Sequence, residues 1–294
     1  MAKAAWIAKR TDARLVRELF PVRKRDTHKG DYGKVLLLCG SEGLTGAARL
    51  AAKAVLRTGS GLVYLGVPEK IYPIVAAAAG SEIVFPLPCD GAGRFDLAAL
   101  GPISERMAHI DAVLLGPGLG RSDELTALCA ELVRRCTAPL VLDADGINAL
   151  AAHKDVLRES ACPIVLTPHG GEFLRLGGDP LHHDPVAEAM RVSRETGCVV
   201  LLKGCRTVVT DGLNVYRNTT GNPGLATGGS GDVLAGMLVS LLGQHVMPLE
   251  AAAGAAWLHG AAADLAAQRT GEYSLLPEDV LDSLPQLLRS IGGI

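Results

Sequence analysis

Six apolar runs, each bounded by glycine, proline or charged residues, recur along the chain: KVLLLCG (34–40), GLVYLGV (61–67), DAVLLGPG (111–118), APLVLDAD (138–145), CPIVLTPH (162–169) and CVVLLKG (198–204). They do not alternate polar with apolar positions, so both faces of each strand are expected to be buried, as in a parallel sheet. Between them, apolar positions recur at helical spacing over 46–58, 122–136, 170–176, 184–196, 230–243 and 248–269. Alternation of this kind predicts an α/β fold, with a mostly parallel central sheet covered by helices on both faces. RTVVTDGLNVYRN (206–218) departs from the rule: Asp-Gly between two short strands reads as a hairpin that adds antiparallel strands at one edge. No linker-like break in composition divides the chain, so residues 1–294 read as one domain with 1–27 as a helical lead-in.

Composition narrows the function classes. Aromatic residues make up only 4% of the chain, so the core is packed from small aliphatics, which favours a compact enzyme over an all-β or nucleic-acid-binding module. The formal net charge is -2, and no basic stripe extends beyond Arg23-Lys24-Arg25, so no nucleic-acid partner is expected. Seven scattered cysteines without a CxxC pair argue against a disulfide frame or a zinc site and read as reduced packing residues, as do the methionines. The N-terminus MAKAAWIAKR lacks an apolar signal core, and the alanine-rich stretch 249–267 is interrupted by Glu250, His259 and Asp264. The expectation is a cytoplasmic protein with no membrane partner.

The most informative segment is GNPGLATGGSGDVLAG (221–236), a glycine-rich loop leading into a helix. Exposed amides at a helix N-terminus form an anion site, so Gly229, Ser230 and Gly231 are candidates for holding a phosphoryl group. Asp232 beside them would repel a phosphate that is merely bound, but it makes sense as a base next to one that is transferred. The plain alternative is an acid that satisfies the first helical amides. Ligands of an open parallel sheet sit at the carboxyl ends of its strands. There the chain supplies GPGLG (116–120), Asp143-Ala144-Asp145 with Asn148, TPHGGE (167–172) and Lys203-Gly204. GPGLG lacks the last glycine of a dinucleotide fingerprint, with Arg121 in its place, and Gly33-Lys34 lacks the Walker context. Asp143 and Asp145 have metal-ligand chemistry, while Asp-Gly is equally a turn and helix cap, so the identity of any metal ligand stays open.

Taken together, HKGDYGKVLLLCGS, GAARLAAKAVLRTGSGLV, GPGLG, LVLDADGINAL, TPHGGEF, LLKGCRTVV and NPGLATGGSGDVLAG resemble the ADP/ATP-dependent NAD(P)H-hydrate dehydratases, a branch of the ribokinase-like superfamily, from about His28 to the C-terminal helix. Two positions depart from the pattern: Gly170 stands where proline is common, and Ser230 where threonine is. The resemblance implies a ribokinase-like three-layer sandwich. It also implies ADP-dependent dehydration of the S-form of hydrated NADH or NADPH, with Mg2+ accompanying the nucleotide and AMP and phosphate as products. By the same resemblance Ala47, Gly118, His169 and Asp232 contact the hydrated dinucleotide, while Lys203, Gly204, Cys205, Arg206, Thr207 and Gly231 contact ADP or AMP. A homo-oligomer, specifically a tetramer, and a functional link to NAD(P)H-hydrate epimerase are also implied. The epimerase domain fused to some relatives has no room in this length, which reads as a stand-alone form. The runner-up reading is a superfamily kinase acting on a vitamin-precursor alcohol, and a third is a silent nucleotide-binding regulator. The intact Gly-Ser-Gly-Asp argues against the regulator.

Overall fold

The structure is a computed structural model and describes residues 8–292. The described residues begin with β1 (Ala8–Arg10), α1 (Ala13–Leu19), β2 (Lys34–Leu38), α2 (Thr45–Thr58), β3 (Leu62–Pro68), α3 (Tyr72–Ala77) and β4 (Ile83–Leu87). It continues through α4 (Leu100–Met107), β5 (Ala112–Leu115), α5 (Asp123–Arg135), β6 (Leu140–Leu142), α6 (Asp145–Leu150), β7 (Ile164–Leu166), α7 (Gly170–Arg175) and α8 (Pro185–Thr196). β8 (Val199–Leu202), β9 (Val208–Thr210), β10 (Val215–Arg217), α9 (Ser230–Gly243), α10 (Pro248–Thr270) and α11 (Pro277–Gly292) complete it. The strands form one sheet in the order β1-β10-β9-β8-β7-β6-β5-β2-β3-β4. Pairing is parallel except at β8–β9 and β9–β10.

The apolar runs are strands because each contributes to two cores at once. Val35, Leu37 and Cys39 point into a cluster with α2, α9, α10 and α11, while Leu36 and Leu38 point into a second cluster with α4, α5 and α8. Period-two alternation within an all-apolar run is what a covered sheet requires. α9 is apolar nearly all round because it is enclosed by α2, α10 and the sheet. Among the described residues no helix is long and apolar enough to cross a membrane.

The structure corrects several expectations. Instead of a helical lead-in over 1–27, Ala8–Arg10 is a strand paired in parallel with β10, and helix is confined to Ala13–Leu19, capped by Asp12. Residues 1–7 of that expectation lie outside the described residues. The 206–218 hairpin forms, but β1 covers its outer strand, so β10 is not the edge. Pairing stops at Leu38, Leu115, Leu142, Leu166 and Leu202, so each rim motif begins where its strand ends. β4 escaped sequence reading because Pro86 interrupts IVFPL; proline is tolerated there because β4 is the edge and needs no outward N–H. Of the cysteines, Cys205 is exposed rather than packed, and Met247 is likewise at the surface.

Candidate active site

The chain runs from β2 through β3 to β4 in one direction, then places β5 on the other side of β2 and continues through β6, β7 and β8. Between β2 and β5, adjacent crossovers diverge and open a crevice at the carboxyl ends of the strands. The crevice is laced by the Gly40 N–H donating to the Pro117 carbonyl at 2.8 Å and the Ser41 hydroxyl donating to the Gly118 carbonyl at 2.8 Å. Gly118 has φ +68, and a Cβ there would stand 3.1 Å from the Cβ atoms of both Ala47 and Leu44. Glycine is therefore required twice over, and Ala47 and Gly118 lie against each other at this end of the sheet.

Asp143 and Asp145 leave the end of β6 in different directions because Ala144 between them adopts φ 48, ψ −115, a strained conformation for a residue with a side chain. Asp145 accepts from the Gly120 N–H at 2.9 Å and so fixes the GPGLG loop. Asp143, only 1% exposed, accepts from Lys203 Nζ at 2.8 Å and from the Thr167 hydroxyl at 2.6 Å. Lys203 also lies 3.8 Å from Glu172, and its main-chain N–H donates to the Pro168 carbonyl. Burial disfavours the ammonium, but Asp143, Glu172 and Asp232 outweigh it and hold its pKa above the usual value.

His169 caps α7. Its Nδ1 accepts from the N–H groups of Gly171 and Glu172 at 2.9 and 3.4 Å, which leaves the proton on Nε2, 3.2 Å from Glu172 Oε1. The Glu172 carboxylate accepts in return from the His169 N–H. The ring is thus oriented from beneath while over half of it remains exposed.

The anion loop ends at Gly229, whose φ of +93 makes it the left-handed N-cap of α9. Ser230 donates its N–H to the Thr227 carbonyl, whereas the N–H groups of Gly231 and Asp232 have no partner among the described residues. A Cβ on Gly231 would lie 3.4 Å from Lys203 Nζ and 4.0 Å from Asp143 Oδ2, so β6, β8 and the start of α9 converge there. Free amides, helix dipole and ammonium together suit a phosphoryl group. The Asp232 side chain makes no capping hydrogen bond among the described residues. Burial, and then repulsion from Asp143 and Asp145 against the pull of Lys203, raise its pKa from 3.8 to about 7. A carboxylate poised near neutrality is suited to take a proton.

The structure therefore brings Lys203, Gly231 and Asp232 together, and Ala47 with Gly118. Gly204, Cys205 and Arg206 lie on the exposed loop between β8 and β9, with Arg206 at φ +64 and the Thr207 hydroxyl donating to the Gly204 carbonyl. Two roles went unread in the sequence. Asp143 is the buried counter-ion of Lys203, and polar residues of α10 reach the loop; the signal for the latter was polar residues inside an otherwise alanine-rich helix.

Comparison with known proteins places the chain in a family. The profile of the family described as NAD(P)H-hydrate dehydratase matches residues 35–286. The chain is 45% identical over 280 residues to the bifunctional NAD(P)H-hydrate repair enzyme Nnr of Moorella thermoacetica, covering 94% of this chain and 53% of that protein. It is similar to the ADP/ATP-dependent NAD(P)H-hydrate dehydratase of Bacillus subtilis, co-crystallised with ATP/Mg2+, at 30% identity and TM-score 0.83, covering 98% of this chain and 100% of that one. A ribokinase-like superfamily protein of Enterococcus faecalis, at 24% identity and TM-score 0.85 over 100% of both chains, shares the fold. The chain spans about half the length of the curated relatives it matches. With a ribokinase-like sheet and this match over most of its length, the chain belongs to the NAD(P)H-hydrate dehydratase family.

Proposed function

We propose that this protein dehydrates the S-form of hydrated NADH or NADPH with ADP as phosphoryl donor, returning NADH or NADPH, AMP and phosphate. The observation that carries this reading is Asp232. It is a half-buried acid with its pKa raised to about 7, beside free helix amides and Lys203, on the rim that begins at the Gly118 crevice. Asp232 takes the proton of the ring hydroxyl, whose oxygen attacks the terminal phosphorus of ADP as the bond to AMP breaks. The C–O bond then breaks, inorganic phosphate leaves with the electron pair, and the neighbouring ring carbon gives up a proton to solvent, its C–H electrons forming the restored double bond. Hydroxide is a poor leaving group and phosphate a good one, which is why a kinase-like site serves a dehydration. The amides at Gly229–Gly231 and the Lys203 ammonium stabilise charge on the transferring group. Ala47, Gly118 and His169 contact the dinucleotide, and the Lys203–Thr207 loop contacts the adenine nucleotide.

Magnesium fits the donor set. Asp143 Oδ2 faces Gly231 and adds a carboxylate oxygen to the surroundings of Asp232, while among the described residues no three side chains form a protein-only metal cage. Magnesium commonly takes one or two carboxylates together with substrate phosphates. When bound, it would neutralise phosphate charge, held by Asp143 Oδ2 and the nucleotide phosphates.

The reading also places the protein in the cytoplasm, which its free cysteines support. An epimerase is a fitting functional partner, because a site selective for one epimer leaves the other unrepaired; a homo-tetramer is expected from the family. Incubation with chemically hydrated NADH, ADP and magnesium should restore the absorbance of the reduced nicotinamide. No recovery with either ADP or ATP would overturn the proposal.

A further inference from the structure

α10 is alanine-rich and apolar through its middle, yet it carries there Asp264 and the buried His259, and both face the glycine-rich loop rather than the core. At the loop's entry, Asp264 accepts from the Gly221 N–H at 2.9 Å and from Asn222 Nδ2 at 3.0 Å. Just upstream, the Thr220 hydroxyl donates to the Trp257 carbonyl at 3.0 Å and Asn218 Nδ2 to the Ala256 carbonyl at 3.1 Å. The chain can approach so closely because residue 260 is glycine; a Cβ there would lie 2.4 Å from Thr220 Oγ1. At the loop's exit, the His259 ring faces the Ser230 main chain at the start of α9. Burial, and then the nearby Lys203 ammonium, lower its pKa to about 4, so at neutral pH it is an uncharged imidazole with one donor and one acceptor. Its Nε2 and the Ser230 hydroxyl are both buried without a hydrogen-bond partner. An apolar helix gains nothing in packing from such groups, and a buried imidazole whose Nε2 has no partner costs stability. Their placement at the two ends of one loop calls for a role in that loop.

We propose that Asp264 and His259 are positioning residues for phosphoryl transfer, with α10 clamping the glycine-rich loop at its entry through Asp264 and at its exit through His259. The clamp keeps the free amides of Gly231 and Asp232, and the Asp232 carboxylate, aimed at the phosphate without either residue touching a substrate. This inference rests on the function proposed above.

The test compares the wild-type protein with Asp264→Ala, Asp264→Asn, His259→Leu and His259→Gln by steady-state turnover and by hydrogen exchange. Misplacing a reacting group by about an ångström costs up to roughly 100-fold, so Asp264→Ala and His259→Leu should each lower kcat by roughly 10- to 100-fold. KM for hydrated NADH should stay within about twofold, since the dinucleotide crevice is untouched. Asp264→Asn keeps one acceptor and His259→Gln keeps a donor and an acceptor, so each should recover part of the loss. Exchange should rise at residues 221–229 and stay at the wild-type level in the sheet. Wild-type kcat in Asp264→Ala overturns the clamp. So does a loss with no rescue by asparagine or glutamine and with exchange raised equally across the sheet. If the alanine or leucine variant does not fold, the asparagine and glutamine variants decide by the same kcat and loop-exchange criteria. If the wild-type protein does not turn over hydrated NADH, it is the proposed function that falls. The clamp is then judged on loop exchange and ADP affinity alone, and unchanged values in Asp264→Ala overturn it.

Discussion

Replacing Asp232 by asparagine separates the catalytic reading from the capping one, and the structure supplies a magnitude for each. Asparagine keeps the shape and hydrogen-bonding capacity of the side chain but cannot take a proton. Turnover should therefore fall roughly 100-fold or more, the scale of a lost general base. ADP affinity should hold or tighten, because a negative charge beside the phosphates is gone. Stability should move the other way from activity. The Asp232 pKa rises from 3.8 to about 7 on folding. That is a rise of about three units at about 1.4 kcal/mol each, so ionising Asp232 costs the folded state at most about 4 kcal/mol. The cost is absent below about pH 4, where the group is protonated in both states; it grows as pH rises and is complete above about pH 7. The asparagine variant should thus melt close to wild type near about pH 4 and several degrees higher near about pH 8. The assays are recovery of reduced-nicotinamide absorbance and thermal unfolding at the two pH values, on one purified preparation. Near-normal turnover with matched melting temperatures at both pH values would refute the reasoning and leave Asp232 as an ordinary acid in the first turn of α9.

Gly118→Val should weaken binding of the dinucleotide while sparing ADP, since the new side chain would press on Ala47 and Leu44 within the crevice. Calorimetric titration with each ligand checks this, and equal loss of both contradicts the assignment. Lys203→Met strands the Asp143 carboxylate, 1% exposed, without its cation. It should destabilise the fold by roughly 3–5 kcal/mol in chemical denaturation. Adding Asp143→Asn to Lys203→Met should restore much of that stability and none of the turnover. ADP is expected to be preferred over ATP as donor; turnover at saturation with each decides, and a clear ATP preference overturns it.

Local pattern carried much of this protein. An apolar run of five residues closed within two positions by glycine, proline or an acid has few folded uses beyond a covered strand, and KVLLLCG, APLVLDAD and CPIVLTPH each became one. The 230–243 helix, with Gly-Ser-Gly-Asp at its start, was likewise legible because helical spacing and a left-handed glycine act within a few residues. Periodicity says nothing about partners far apart in the chain. Thus β1 pairs with β10 across the whole fold, and Asp143 meets Lys203 from 60 residues away. The Asp232 pKa was equally out of reach, because aspartate carries the same chemistry wherever it occurs. Burial, two neighbouring carboxylates and one ammonium, delivered by β6, the start of α6 and β8, decide that value. The polar residues of α10 looked like interruptions of an apolar helix until folding laid that helix against the loop. Which residues share a face follows from the chain's own spacing, whereas which charges share a low-dielectric site depends on the order of strands in the sheet, and tertiary structure alone sets that order.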